Sequence, residues 1–331
     1  MSSDPNVTGP RTETLVADAS EALRRRKGSR VQRVGDHLKR DWQLYVMLIP
    51  TILWLLIFLY KPMYGLQIAF KDYSIFRGVA GSPWVGLEHF QTLFGNEQFL
   101  RALKNTVIIS FYSLIFGFPM PILLALMFNE ILHQTFKKTA QTIVYLPHFI
   151  SSVIIAGIVI TAFSPSAGIV NTVLEWFGVD PVYFLTRPEW FRPIFVGTSI
   201  WQEAGFQSIV YLAAIAGVSP TLYESAVVDG ASRWQMMWKI TIPSILPTII
   251  IMLIIRIGNM LEVSFEMIIL LYQPATYQTA DVVNTFIYRQ GIQGGQYDLA
   301  AAAGLFNAGV AFVLVMTANT IAKRYSRTSL W

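Results

Sequence analysis

The chain contains no cysteine, so neither a disulfide framework nor a thiolate metal site is available to it. Charge is also scarce: 14% of its 331 residues are Asp, Glu, Lys or Arg, against about 25% in an average soluble domain. The four histidines, His37, His89, His133 and His148, fall in separate segments without metal-site spacing. Each reads as a loop or interfacial residue. Neither a G-x-x-x-x-G-K-S/T phosphate loop nor a G-x-S-x-G nucleophile elbow occurs. The chain therefore supplies no ATPase by that route, and an intramembrane enzyme has no visible catalytic set. There is no repeat at a fixed period, and no nucleic-acid partner is expected.

What remains is apolar. Hydrophobic residues make up 53% of the chain, and the mean hydropathy is +0.47. Apolar runs recur, each near the roughly 20 residues needed to cross a bilayer. Six spans are expected: 44–60, continuing towards Phe70, then 106–128, 141–163, 193–218, 245–272 and 299–321. Pro119, Pro121, Pro147 and Pro247 fall in or near them. Transmembrane helices tolerate proline where neighbours satisfy the freed backbone groups. The fold class is thus all-α, a polytopic membrane protein.

Basic residues set the orientation. Arg24, Arg25, Arg26, Lys27, Arg30, Arg33, Lys39 and Arg40 precede the first span, Lys137 and Lys138 follow the second, and Lys323, Arg324 and Arg327 follow the last. With six spans these lie on one side, so both termini are expected in the cytoplasm. Lys61, Lys71, Arg77, Arg101 and Lys104 oppose this, but in a long loop that carries less weight. Residues 1–41 read as a basic, disordered cytoplasmic arm, not a signal peptide, because no apolar core precedes a cleavage site. Residues 42–98 hold the first helix and an extracellular loop, 99–323 the core of five helices, and 324–331 a cytoplasmic tail.

The most informative stretch is 219–243, SPTLYESAVVDGASRWQMMWKITIP, in the loop between spans four and five. Ser219 can cap a helix whose first position suits Pro220. Gly230 is a natural stop after Asp229. Ser232 can cap a second helix that Pro243 ends before span five begins. On that helix Trp234, Met237 and Trp238 share a face at i, i+3 and i+4. The physics leaves two readings open: an amphipathic pair lying at the lipid interface, or a docking knob for a soluble partner.

Span four carries Trp201, Gln202, Glu203 and Gln207. Span five carries Arg256, Asn259, Glu262 and Glu266, which at about 100° per residue would form one polar stripe on a helix. Ionisable groups at membrane depth usually face a cavity or a partner. They either lock helices together, for example as Arg256 with Glu203 or Glu262, or contact a polar solute. A secondary transporter driven by an ion gradient would also explain buried carboxylates, although it would usually need more spans or a repeat.

The 219–243 segment resembles the coupling loop of ABC-importer permeases, whose pattern is E-A-A, three residues, G, nine residues, then I-x-L-P. Here Glu224, Ser225 and Ala226, then Gly230, then Ile240, Thr241, Ile242 and Pro243 occupy those places. Ser225 and Ile242 depart from it conservatively. The wider likeness runs from about Leu100 to the C-terminus. It is similar to the sugar and polysaccharide branch of type I permeases, through NTVIISFYSLIFGFPMPILLALMFNE (105–130) and YLPHFISSVIIAGIV (145–159).

The resemblance implies six transmembrane helices with a cytoplasmic coupling pair between the fourth and fifth, in a bacterial cytoplasmic membrane. It implies that Glu224, Ala226, Asp229, Gly230, Ala231, Ile240 and Pro243 couple to a separate ATPase dimer, which alone binds ATP and magnesium. The chain itself then needs no cofactor. It also implies a second, related permease chain, an extracellular substrate-binding protein received by loops 61–104 and 272–298, and an oligosaccharide path along Trp201, Gln202, Glu203, Gln207, Arg256, Asn259 and Glu262.

Overall fold

The computed structural model describes residues 41–326. The expected N-terminal arm and the end of the C-terminal tail, with Arg327, lie outside the described residues. The chain forms two compact units, one ending at Leu66 and the other beginning at Gln67. No strand occurs among the described residues.

Six long helical segments carry the fold. Four are single helices apolar enough to span a bilayer: α1, Trp42–Phe70; α2, Glu97–Glu130; a helix over Arg233–Gly258; and one over Tyr297–Arg324. Two are bent pairs. In the first, α3 (Gln134–Phe149) turns by 102° into α4 (Ser152–Ala162). In the second, α5 (Pro188–Ala216) turns by 70° into α6 (Pro220–Val228). The helix over Arg233–Gly258 is α7, a short Phe265–Leu271 is α8, Val283–Ile287 is α9, and Tyr297–Ser326 is α10. Counting each bent pair once gives up to six candidate spans, in the all-α polytopic fold expected of a type I importer permease.

Two expectations for the spans need correction. The third span is not one rod over 141–163. Pro147 lies in a tight turn over Leu146–Phe149, and Ile150 and Ser151 are extended before α4 starts. Proline lacks the amide hydrogen a continuing helix would need, so the chain breaks there. The fifth span likewise does not reach Tyr272. α7 ends at Gly258, and residues 259–264 form a non-helical turn before α8. Gly258 and Asn259 are ordinary helix-stop residues, concealed here by a long apolar run. Gly258 also lies so close to α10 that a Cβ there would be 2.8 Å from Val315 Cγ2.

Proline is handled differently inside α2 and α7. α2 widens into a π-turn over Ser113–Gly117 just before Pro119, and α7 does so over Met237–Thr241 just before Pro243. The wider turn absorbs the missing amide without breaking the helix. Pro243 therefore does not end a separate second coupling helix: α7 runs through it from Arg233 to Gly258.

α5 is the centre of the second unit. Its Phe191, Ile194 and Phe195 pack with Ile155 and Val159 of α4 and with Met267 and Ile268 of α8. Its Tyr211 and Ile215 pack with Ala125 and Leu126 of α2 and Ile245 of α7. Gly205 makes one approach possible, because a Cβ there would be 2.0 Å from the Val144 carbonyl oxygen of α3. Gly205→Leu should therefore force α3 off α5 and destabilise the fold by about 1–3 kcal/mol, the usual range for overpacking. A thermal melt of the purified protein in detergent checks this, and an unchanged midpoint would refute the close approach.

A polar network pins the 274–290 segment. Asp281 is fully buried and accepts from Arg289 at 3.0 and 2.7 Å and from Thr285 at 2.8 Å. These hydrogen bonds hold the Arg289 pKa above its ordinary value. Asn105 of α2 donates to the backbone carbonyls of Gln278 and Asp281, and its own Oδ1 accepts from Arg192 at 2.8 Å. Asp281→Ala strands a guanidinium that is only 20% exposed, so it should cost about 3–5 kcal/mol, as breaking a buried pair does. The same melt reports it, and a midpoint within a degree of wild type would show the pair to be incidental.

Candidate functional site: an open cation in a helical cavity, and a groove at the coupling turn

Three elements meet around a cavity of about 280 Å³. α5 contributes Ser199, Gln202, Glu203 and Gln207; α2 contributes Ser110, Ser113 and Gly117; α7 and the turn after it contribute Arg256, Asn259, Glu262 and Ser264. The turn is held in place by side chains from elsewhere in the fold. Ser110 Oγ donates to the Met260 carbonyl oxygen, and Asn284 Nδ2 donates to that of Val263 at 3.4 Å. Non-helical backbone of this kind is tolerated in membrane proteins where it lines a cavity.

The polar stripe expected on a helical fifth span is thus not a helical stripe. Asn259 and Glu262 face the cavity because the chain turns there, whereas Glu266 on α8 is exposed and does not line it. Trp201 is 48% exposed and also stays outside the lining. It precedes Gln202 by one residue, a rotation of about 100°, which turns it off the cavity face.

Arg256 is the cavity's only cation among the described residues. It makes neither a hydrogen bond nor an ion pair with them; the contemplated lock with Glu203 or Glu262 does not form. Gly117 of α2 lies beside the guanidinium, at a distance where a Cβ would make ordinary contact, 3.7 Å from Arg256 Nη2. Glu203, which faces the same cavity, is paired elsewhere. Its Oε2 accepts from His148 Nδ1 at 3.1 Å. Sequence reading placed His148 merely in a loop or at an interface. Its partner lies 55 residues away, and nothing local announces it. Ser110, Ser113 and Ser199 were missed too, since single hydroxyls in apolar runs carry no pattern.

The second site is the turn between α6 and α7. Gly230 has φ +76°, a left-handed conformation that non-glycine residues rarely adopt. Ala231 N donates to Ala226 O at 2.9 Å, and Gly230 N donates to Val227 O at 3.0 Å. That is the double bond of a Schellman stop. α7 then opens with a capping box: Ser232 Oγ accepts from Gln235 N, and Gln235 Oε1 accepts from Ser232 N. Tyr223 Oη and Thr241 Oγ1, 2.9 Å apart, tie the two helices together.

Between the helices runs a groove of about 380 Å³, lined by Ala226, Asp229, Gly230, Ala231 and Ile240 together with Lys239. Glu224 is exposed on α6 outside this lining, and Pro243 lies further along α7. Trp234 and Trp238 pack edge-to-face with centroids 5.8 Å apart, both largely exposed. Met237 does not join their face; it turns inward against the α2–α5–α7 core.

The sequence profile of the binding-protein-dependent transport system inner membrane components matches residues 117–328. The chain belongs to this family. It is an ABC transport permease, an integral membrane component with several apolar helices. The permease is 40% identical over 321 residues to the polygalacturonan/rhamnogalacturonan transport system permease protein YteP of Bacillus subtilis (strain 168), covering 97% of this chain and all of that one. It is 42% identical over 294 residues to protein LplB of the same strain, covering 89% and 92%.

Among solved structures, it superposes on a chain of a bacterial ABC transporter involved in the import of the acidic polysaccharide alginate. The TM-score is 0.84 and the identity 61%, covering 89% of this chain and 99% of that one. A second structure of a bacterial alginate transporter is in complex with an alginate pentasaccharide-bound periplasmic protein. It matches with TM-score 0.84 and 60% identity, covering 90% of the permease and all of that chain.

Proposed function

We propose that this permease carries an acidic oligosaccharide, released from a uronic-acid polysaccharide, across the bacterial cytoplasmic membrane, and that a separate ATPase drives it through the α6–α7 turn. The observation that carries the substrate reading is the unpaired Arg256 guanidinium. A half-buried cation without a partner is costly, and a sugar carboxylate arriving in the cavity supplies the partner in bidentate geometry. Gln202, Gln207, Asn259 and the serines offer both donors and acceptors to sugar hydroxyls. The cavity is at the small end of ligand pockets, which run from about 300 Å³ upward, as suits one subunit's share of a path completed by a second, related permease chain. The relatives named for polygalacturonan and rhamnogalacturonan, and the neighbour named for alginate, support an acidic cargo.

The coupling reading rests on the continuity of α7. One helix begins beside the groove at Arg233 and ends beside the cavity just past Arg256. At 1.5 Å per residue it spans roughly 35 Å between those residues. Displacing the groove end would therefore be passed along one unbroken helix to the Arg256 end, with the π-turn over Met237–Thr241 as the point where α7 can flex. The groove, with Ala226 and Ala231 allowing close approach, is the part that would seat on the ATPase, and Glu224 is exposed to meet a basic residue there. The termini lie in the cytoplasm with this turn, and an extracellular binding protein delivers the sugar to loops 61–104 and 272–298.

The test is uptake of labelled oligouronate by vesicles containing the permease and its partners. Uptake should stop on ATP depletion and survive collapse of the proton gradient. The opposite pattern would return the chain to a gradient-driven mechanism.

A further inference from the structure

We infer that His148 determines charge selectivity by holding Glu203 away from Arg256, so that the cavity's one cation stays free for substrate. The inference rests on the acidic-cargo reading above.

Glu203 and Arg256 line the same cavity. Direct pairing would neutralise Arg256 and leave nothing for an incoming anion. Instead the Glu203 carboxylate is bound to His148 Nδ1 at 3.1 Å. His148 does not itself line the cavity; it acts from behind, as a positioning residue.

Its ring has little freedom to leave that post. It is stacked on Phe206 at 3.9 Å between centroids with the planes 4° apart, and Phe149 meets it edge-on at 5.4 Å. Glu203 and Phe206 are three residues apart on α5, hence on one face of that helix. Together they form a slot for the imidazole: a hydrogen-bond acceptor at its edge and a ring under its plane. The backbone supports the slot as well, because His148 belongs to the turn that breaks α3 from α4. Gln202 Nε2 reaches the Ile150 carbonyl oxygen on the far side of that break at 3.4 Å. With the histidine gone, the Glu203 carboxylate faces Arg256, the one cation among the described residues that lines the same cavity.

The test compares two substrates of one chain length, an oligouronate and its carboxyl-reduced, uncharged form, in proteoliposomes of the complete transporter. His148→Ala should raise KM for the acidic form by about tenfold or more, the scale of losing a hydrogen bond to a charged group, with little change for the reduced form. His148→Ala combined with Glu203→Gln should restore the acidic KM, since no carboxylate is left to occupy Arg256. His148→Gln, which keeps a donor, should fall between. A merely structural histidine would depress both substrates alike and would not be rescued by Glu203→Gln; either result overturns the inference. Arg256→Gln separates the two layers. If it abolishes acid preference while His148→Ala preserves it, the His148 role is wrong and the acidic-cargo reading stands. If Arg256→Gln leaves acid preference intact, the acidic-cargo reading itself fails.

Discussion

Gly230→Val should reduce uptake to background and remove the stimulation of ATP hydrolysis by substrate, while the protein still reaches the membrane and assembles. Gly230 holds φ +76° at the Schellman stop of α6. A β-branched residue forced into that region costs of the order of 1–3 kcal/mol locally. The fold is not expected to fail, because open space surrounds the position: nothing lies within 4 Å of a Cβ there. What fails is the angle at which α6 meets α7, and with it the groove that Ala226, Asp229, Ala231 and Ile240 share. Gly230→Asn is the control. Asn tolerates the left-handed region far better than valine and should retain most uptake. Parallel measurement of uptake and ATPase activity decides the matter, and valine and asparagine variants that behave alike would refute the backbone argument.

The second large effect is expected at Arg256. Arg256→Gln keeps a polar side chain of related length but removes the charge and the fork of donors. Hydrogen bonds to charged groups contribute about 1.5–3 kcal/mol, so transport efficiency for an acidic oligosaccharide should fall by about one to two orders of magnitude, at 1.4 kcal/mol per tenfold. Arg256→Lys restores the charge without the bidentate geometry and should recover only part. The guanidinium has no protein partner among the described residues, so its loss leaves no carboxylate stranded. The melting temperature should stay near wild type or rise, and a large fall would place Arg256 in the structural framework instead.

Much of this was legible in the apolar runs. The first, second and last spans appear where hydrophobicity places them, as Trp42–Phe70, Glu97–Glu130 and Tyr297–Arg324. The Gly230 stop and the Ser232 cap were readable because each is a local rule about one or two residues. The breaks at Ile150–Ser151 and after Gly258 were not, because proline and glycine, which signal them, are also tolerated inside membrane helices. Pro243 illustrates the converse: read as a stop, it is absorbed by a π-turn.

The candidate cavity was anticipated for a partly mistaken reason. Arg256, Asn259 and Glu262 do converge, but through a turn pinned by Ser110 and Asn284, not by helical periodicity. Trp201 was grouped with them by proximity in sequence, and one residue of helical rotation excludes it. The His148–Glu203 pair lies beyond any local pattern, since it depends on how the bend between α3 and α4 packs against α5.

Reconstituted transporter supplied with ATP, offered a saturated or unsaturated oligouronate in competition with its carboxyl-reduced analogue, tests the account most directly. The account predicts ATP-dependent accumulation of the acidic sugar with strong preference over the neutral one, and loss of that preference in Arg256→Gln. Equal accumulation of both sugars by the wild-type complex would contradict it.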